Sequence, residues 1–184
     1  MAKIYVFLAD GFELIEAMAP VDILRRGGQE VTTVSIMDRR NVMSAQQQEV
    51  LADALFSEVT DFGNADWLIL PGGMPGAEHL CNHDALRELL YEHDAHNRHF
   101  AAICAAPMVL GRIGLLSGHR ATCYPGFEKF LLDATYTAEP VTIDGRFTTA
   151  YGPGAALAFG YAILQQIVGE EAVAALKSGM MYKG

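Results

Sequence analysis

The sequence is poor in positive charge and in long apolar runs, and each shortage excludes a class of protein. Thirteen Lys and Arg residues stand against 22 Asp and Glu residues, which gives a formal net charge of −9. That charge argues against nucleic acid or an anionic membrane as the main partner. The first apolar run, residues 3–9, is too short to span a bilayer and lacks a cleavage pattern. It is therefore predicted to be a strand and not a signal peptide.

Cysteine is also scarce, since only Cys81, Cys104 and Cys123 occur. Their odd number and their spacing indicate neither a disulfide framework nor a metal site, and a reducing cytoplasm is the expected compartment. The Gly-x-Gly-x-x-Gly fingerprint of dinucleotide-binding proteins is absent as well. We therefore predict no cofactor.

The six histidines do not change this prediction. His93, His96 and His99 recur every three residues near the end of a predicted helix, and a helix turns about 300° over that interval. Their side chains therefore spread around the helix instead of converging on one point. We predict no metal and expect solvated histidines or histidines at a helix C-terminus.

Apolar runs alternate with helical periodicity along the chain, with no repeat, linker or low-complexity tract, and its length suits one domain over residues 1–184. Near-continuous apolar strands between amphipathic helices predict an α/β fold, with a doubly wound, mostly parallel sheet in a three-layer α/β/α sandwich. Asp144-Gly145 departs from this alternation and predicts a small β-hairpin. In such sheets ligands bind where the carboxyl ends of strands lead into helices.

One such loop contains Cys104, in the stretch FAAICAAPMVLG, residues 100–111. Residues 100–103 suit a central strand, and Ala105 to Leu116 has helical spacing with Pro107 in the first turn, where proline is tolerated. Small alanines on both sides of Cys104 suit a sharp turn that presents a nucleophile. A helix N-terminus beside the sulfur would lower the thiol pKa toward about 3.5–7.5. A small buried structural cysteine is the alternative.

A second loop leads into a helix predicted from about Glu13 to Arg26. Pro20 cannot donate a hydrogen bond to the carbonyl of Glu16, so the helix is expected to be kinked or broken there. A half-buried Glu16 carboxyl would have a raised pKa and could donate a hydrogen bond to a nearby thiolate. A solvated helix glutamate is the simpler alternative.

Two glycine-rich segments supply further candidates. Gly72 and Gly73 follow a buried strand in LILPGGMPG, where glycines allow a tight turn and present N–H groups to a ligand. The N–H groups of Gly73 and Ala105 could form an oxyanion hole, although the segment could also be merely a tight connection. The segment YGPG contains Gly152 and Gly154 and offers a similar glycine-rich helix start, which could form a further wall of the site.

Taken together, the segments DGFELIEAMAPVDILRRGG, DWLILPGG, FAAICAAP and YGPG, in that order, resemble the DJ-1/PfpI (ThiJ) family, on its DJ-1-like branch. The resemblance covers nearly the whole chain and implies a flavodoxin-like fold and a homodimer. It implies that Cys104 is the family's reactive, oxidisable cysteine, that Glu16 is the carboxyl group paired with it, and that Gly73 and Ala105 are the backbone donors. Family members are variously glyoxalases, protein deglycases, redox-sensitive chaperones and peptidases.

The sequence departs from the family pattern at two positions. Ala105 stands where the peptidase and chaperone branch has histidine, and Tyr124 stands where many DJ-1-like members have histidine. Without these histidines the Cys–His arrangement of peptidases is missing, which disfavours a peptidase. Tyr124 is a poor base at neutral pH, although it can donate a hydrogen bond.

The leading hypothesis is a cofactor-independent glyoxalase- or deglycase-type enzyme. Cys104 would attack a reactive α-dicarbonyl such as methylglyoxal, with Gly72, Tyr124, Gly152 and Gly154 near its pocket. The alternative is a non-catalytic redox sensor or redox-regulated chaperone, whose Cys104 reacts with an oxidant to give a sulfinate held by Glu16.

Overall fold

The computed structural model describes residues 1–183, in which a seven-stranded sheet lies between two layers of helices. Gly184, which the predicted single domain includes, lies outside the described residues. The strands are β1 (Lys3–Leu8), β2 (Glu30–Ser35), β3 (Asn41–Met43), β4 (Glu49–Leu51), β5 (Ala54–Leu55), β6 (Trp67–Leu70), β7 (His99–Ile103), β8 (Arg120–Ala121), β9 (Thr135–Tyr136), β10 (Val141–Asp144) and β11 (Phe147–Ala150). The helices are α1 (Leu14–Arg26), α2 (Gly76–Cys81), α3 (Asp84–Ala95), α4 (Pro107–Arg112), α5 (Ala156–Val168) and α6 (Glu170–Gly179).

The strands of the central sheet follow the order β10-β11-β7-β6-β1-β2-β5. Every neighbouring pair is parallel except β10 and β11, which are antiparallel. Their hairpin turns at Gly145, whose φ of +58° favours glycine. The structure therefore confirms the mostly parallel α/β sandwich and its small hairpin.

The central strands are apolar on both faces because helices cover both faces. In β1, Ile4 and Val6 belong to one core cluster, which also contains buried residues of α1 and α5. Tyr5 and Phe7 belong to the other cluster, with buried residues of α3 and α4. This two-sided burial explains why the strands read as continuous apolar runs, and it leaves the strand ends as the place for a site.

Helix α1 differs from its prediction. It runs unbroken from Leu14 to Arg26 with Pro20 inside it, so the expected break at Glu16 is wrong. Its partner α5 explains the continuity, because a Cβ added at Gly160 would lie only 3.1 Å from the Pro20 Cα atom. Such close helix packing stabilises the helix despite the missing N–H of proline.

Helix α4 is shorter than the predicted span of residues 105–116. It begins at Pro107, which occupies the first turn as predicted, and ends at Arg112. Two residues later Gly114 adopts a φ of +80°, a left-handed conformation that a continuing helix does not contain. Within residues 1–183, no helix combines the length and the apolar content that crossing a membrane requires.

Candidate active site

Cys104 lies on a sharp turn directly after β7, at the carboxyl end of the sheet. Its φ of +64° is unusual for a residue other than glycine. The neighbouring chain holds this backbone: the Cys104 N–H donates to the Ala150 carbonyl at 2.8 Å, and the Cys104 carbonyl accepts from the Tyr124 N–H at 2.8 Å. A conformation that costs about 1–3 kcal/mol and is fixed by its surroundings is typical of functional sites. Cys104 therefore lies on a sharp turn between a strand and a helix, as the sequence predicts.

The carboxyl group of Glu16 is buried beside this turn. Glu16 lies in the first turn of α1 and is 0 % exposed. Its Oε2 accepts a hydrogen bond from the Gly72 N–H at 3.0 Å, whereas its Oε1 is buried without a well-placed partner among the described residues. Burial raises the pKa of the Glu16 carboxyl from 4.5 to about 7, and interaction with the Cys104 thiol offsets part of this rise. The expectation of a raised pKa is thus met, with a carboxyl group that is fully buried.

The backbone of Gly72 lies close to the side chains of both Cys104 and Glu16. A Cβ added at this residue would lie 2.6 Å from the Cβ of Cys104 and 2.6 Å from Oε2 of Glu16. Gly73 has a φ of +86°, and a Cβ there would collide with the backbone nitrogen of Glu13. Only glycine therefore lets the backbone pass this close to the thiol and the carboxyl group.

The thiol itself does not have the lowered pKa that the sequence suggests. Burial and the neighbouring Glu16 raise the pKa of Cys104 to about 12, although hydrogen bonds from the N–H groups of Gly73 and Ala105 act in the opposite direction. The residue is only 8 % exposed, and the six-residue α4 begins at Pro107, beyond the turn itself. The expected low-pKa thiolate on the first turn of a long helix is therefore wrong, because burial outweighs the N–H donors.

Glu16 and Cys104 thus form one coupled acid–base pair. Burial raises the pKa of both groups, so the form of the pair in which sulfur and carboxyl are both ionised is disfavoured. At neutral pH a proton can move between sulfur and carboxyl oxygen without exchange with solvent. Such a pair can activate a nucleophile and return the proton later.

The other predicted pocket residues lie beside this pair. Tyr124 and Gly152 pack together, since a Cβ added at Gly152 would lie 3.3 Å from the Tyr124 ring. Both residues line an open cavity of about 280 Å³, together with Pro125, Tyr151, Pro153 and Gly154. Sequence reasoning missed Pro125, Tyr151 and Pro153, although YGPG directly after a buried strand marks the segment that contains two of them. The cavity borders the Cys104 turn and does not include the sulfur or Glu16 among its lining residues.

The remaining cysteines lie outside this arrangement. Cys123 is fully buried in the core cluster that contains residues of α3 and α4. Cys81 is the last residue of α2. All three cysteines are free thiols.

His93 meets one of the two alternatives predicted for the histidines. His93 lies in the last turn of α3, as expected for a helix C-terminus, but it is 2 % exposed and therefore not solvated. Its Nε2 is 2.9 Å from the His99 carbonyl oxygen, and burial lowers its pKa to about 4. Across residues 1–183, no group of three or more His, Cys, Asp or Glu side chains is arranged to hold a metal ion.

Comparison with known proteins gives consistent matches over nearly the whole chain. The model of the DJ-1/PfpI family matches residues 2–166. Protein DJ-1 homolog B of Arabidopsis thaliana is 40% identical over 92% of this chain, and Parkinson disease protein 7 homolog of Danio rerio is 30% identical over 97% of it. The chain spans 39% of the length of the plant protein and 96% of the fish protein.

Solved structures give the same result. Oxidised DJ-1 from Toxoplasma gondii superposes with a TM-score of 0.95 at 33% identity, and Drosophila melanogaster DJ-1beta with a TM-score of 0.93 at 31% identity. In both comparisons the alignment covers 100% of this chain and 100% of the other.

Proposed function

Because this chain belongs to the DJ-1/PfpI family, we propose that it is a cofactor-independent enzyme of the glyoxalase or deglycase type. Its substrates are reactive α-dicarbonyls such as methylglyoxal. The observation that carries this proposal is the Glu16 carboxyl, which has a pKa of about 7 and lies buried against the Cys104 turn. A base of that pKa works best near neutral pH.

The first step uses the shared proton of the pair. The Glu16 carboxylate accepts the Cys104 thiol proton while the sulfur adds to the aldehyde carbon. The N–H groups of Gly73 and Ala105, which act to lower the pKa of the thiol, would stabilise the oxyanion on that carbon. Return of the proton from Glu16 to this oxygen gives a neutral hemithioacetal.

The following steps move hydrogen within the substrate. Glu16 removes the proton from the former aldehyde carbon and delivers it to the adjacent carbonyl carbon, while the hydroxyl proton of the hemithioacetal passes to the oxygen of that carbonyl. The C=O double bond thus moves to the sulfur-bearing carbon, which gives the thioester of a 2-hydroxy acid. Water then cleaves the thioester, releases the acid and restores the thiol. One carbon is oxidised and its neighbour is reduced, so no external oxidant or cofactor takes part.

The absence of histidine at residues 105 and 124 makes Glu16 the base in this scheme. Ala105 contributes only its backbone N–H, and tyrosine at residue 124 is too weak a base near neutral pH. In this scheme Cys104 is not a thiolate before the substrate binds, in contrast to the expectation from the sequence, because the buried thiol is ionised only as its proton moves to Glu16. It also gives no support to a peptidase mechanism.

Turnover of methylglyoxal by the purified protein tests the proposal. Cys104→Ala should abolish turnover, and Glu16→Gln should lower kcat by about 100-fold or more, since general-base catalysis contributes about 10²–10⁴-fold. Cys81→Ala is the matched control, because it removes a thiol outside the site, and its rate should equal that of the unmodified protein. Equal rates in all of these proteins would exclude catalysis at Cys104.

A second candidate function is redox sensing or redox-regulated chaperone activity through Cys104. It is favoured by the buried Oε1 of Glu16, which has no well-placed partner and, when protonated, could donate a hydrogen bond to a sulfinate oxygen. Two equivalents of peroxide would oxidise the thiol to the sulfinic acid and release two waters. Mass spectrometry after peroxide treatment tests this function: selective addition of two oxygens at Cys104, with negligible dicarbonyl turnover, would favour the sensor over the enzyme.

We also propose that the protein works as a homodimer in a reducing cytoplasm. Exposed apolar side chains near the site support self-association, since Ile15 in α1 and Met74 after the glycine pair are each 47% exposed. The three free cysteines agree with a reducing compartment. Sedimentation velocity over a range of concentrations would reveal a stable dimer, and a monomer at all concentrations would contradict it.

A further inference from the structure

The cavity next to the Cys104 turn has an unusual lining. Six residues surround its volume of about 280 Å³: Tyr124, Pro125, Tyr151, Gly152, Pro153 and Gly154. None of them is charged, and two are tyrosines whose side chains remain 46% and 38% exposed, respectively. Exposed aromatic side chains around a concave surface are typical of small-molecule sites. We name this cavity the tyrosine subsite.

The tyrosine subsite is joined to the nucleophile through the backbone. Tyr124 donates its N–H to the carbonyl of Cys104 itself, at 2.8 Å. Ala150, which accepts the Cys104 N–H at 2.8 Å, directly precedes Tyr151 in the chain. Each tyrosine is therefore linked to the Cys104 turn by a backbone hydrogen bond: Tyr124 makes this bond itself, and Tyr151 directly follows Ala150, which makes it. The cavity therefore lies next to the backbone of the turn that carries Cys104.

Glycine at residues 152 and 154 keeps the subsite open. A Cβ added at Gly152 would lie 3.3 Å from the Tyr124 ring, and a Cβ at Gly154 would lie 3.9 Å from the Tyr151 hydroxyl. The Tyr124 ring lies directly against the backbone of Gly152, so its position is supported by contact. Two aromatic walls are thus present before any ligand binds, which lowers the entropic cost of binding.

We propose that the tyrosine subsite binds the aryl group of an aromatic 2-oxoaldehyde, a substrate class that rests on the function proposed above. A planar ring can pack against tyrosine rings and proline rings, and each aromatic pair contributes beyond the burial of apolar area. A methyl substituent fills little of the cavity and gains little from it. The absence of a charged lining residue disfavours substituents that carry a carboxylate or a phosphate.

The chemistry at the sulfur is unchanged by this assignment. Cys104 adds to the aldehyde carbon, hydrogen moves to the adjacent carbonyl carbon that carries the aryl group, and water releases the 2-aryl-2-hydroxy acid. Tyr124 and Tyr151 act as specificity-determining residues, because they contact the substituent and not the reacting atoms. Their substitution should therefore change the selectivity between substrates, and Cys104 should remain essential for all of them.

The test compares kcat/KM for methylglyoxal, cyclohexylglyoxal and phenylglyoxal. For the unmodified protein we expect phenylglyoxal to exceed methylglyoxal by about tenfold, with cyclohexylglyoxal between them, as stacking adds to apolar contact. Tyr124→Ala and Tyr151→Ala should each lower the ratio of phenylglyoxal to methylglyoxal by about fivefold. Tyr91→Ala, on α3, is the matched tyrosine control and should leave the ratio unchanged.

Phenylglyoxal also modifies arginine, so its loss in the presence of Cys104→Ala protein is subtracted as the blank. If the protein turns over methylglyoxal but its kcat/KM for phenylglyoxal is equal to or lower than that for methylglyoxal, the proposed subsite is wrong and the proposed function still stands. An unchanged ratio in both tyrosine variants would also overturn it. Absence of Cys104-dependent turnover of any of the three compounds would remove the proposed function, and the subsite with it.

Discussion

Glu16→Gln gives the sharpest test of the acid–base pair, because it removes a charge and keeps the shape of the side chain. A Cβ added at Gly72 would lie 2.6 Å from the Cβ of Cys104 and 2.6 Å from Oε2 of Glu16, so these two atoms are at most about 5 Å apart, and about 5 Å serves as the working separation of the two charges. With an effective dielectric constant of about 20, the repulsion between thiolate and carboxylate at that distance is about 3 kcal/mol. Removing it should lower the pKa of the Cys104 thiol, and the repulsion of about 3 kcal/mol corresponds to a shift of about two pH units.

The assay is the rate of alkylation as a function of pH, since only the thiolate reacts. Cys81 and Cys123 are also free, so the alkylated site is identified by mass spectrometry, and Cys104→Ser protein supplies the background. The unmodified protein should show reaction at Cys104 rising only toward the alkaline limit. Glu16→Gln should move that rise into the accessible range.

The same variant should nevertheless be a poorer catalyst, because glutamine cannot accept the thiol proton. A lower thiol pKa combined with slower turnover of methylglyoxal would distinguish a base from a group that only stabilises the thiolate. An upward shift of the Cys104 pKa in Glu16→Gln would refute the reasoning. It would mean that a protonated Glu16 donates a hydrogen bond to a thiolate already present in the native protein.

Three further predictions concern packing and the dependence of stability on pH. Gly72→Ala places a Cβ against both members of the pair and should lower kcat/KM by about 100-fold; activity at the native level would show that this close contact is dispensable. His93 has a pKa lowered by burial to about 4, so the native protein should lose about 3 kcal/mol of stability as the pH falls from about 6.5 to 4. Urea denaturation of His93→Gln should lack this loss, and an identical pH dependence would contradict it. The pH dependence of stability that Glu16 causes has the opposite sign, because burial raises its pKa to about 7. Its contribution to the free energy of unfolding is full below about pH 4.5, and about 3 kcal/mol is lost as the pH rises through 7. Urea denaturation of Glu16→Gln should show no such decline, and a native-like decline would assign it to another group.

Much of the fold follows from local patterns. Helices cover both faces of the sheet, so the strands are apolar throughout, and their alternation with helical periodicity predicts the layered α/β arrangement. Asp144-Gly145 predicts a hairpin because the turn needs a residue that tolerates positive φ. Pro107 predicts the first turn of a helix because proline has no N–H to satisfy there.

Several local predictions failed where distant residues changed the outcome. Pro20 does not break α1, because close packing against Gly160 in α5 stabilises the helix. α4 ends at Arg112, before its predicted end at Leu116. His93 lies at a helix C-terminus, which is one of the predicted alternatives, but it is buried there and not solvated.

For the site, the sequence by itself predicts which residues come together and on which turns they lie. Each candidate residue follows a strand: Cys104, Glu16, Gly72 and Gly73. In parallel α/β sheets ligands bind at these carboxyl ends of the strands. Only the tertiary structure decided how these groups ionise. Glu16 and Gly72 are 56 residues apart in the chain, yet they share a hydrogen bond beside the sulfur. A pKa depends on solvent access and on neighbouring charges, and both are created by packing between distant segments.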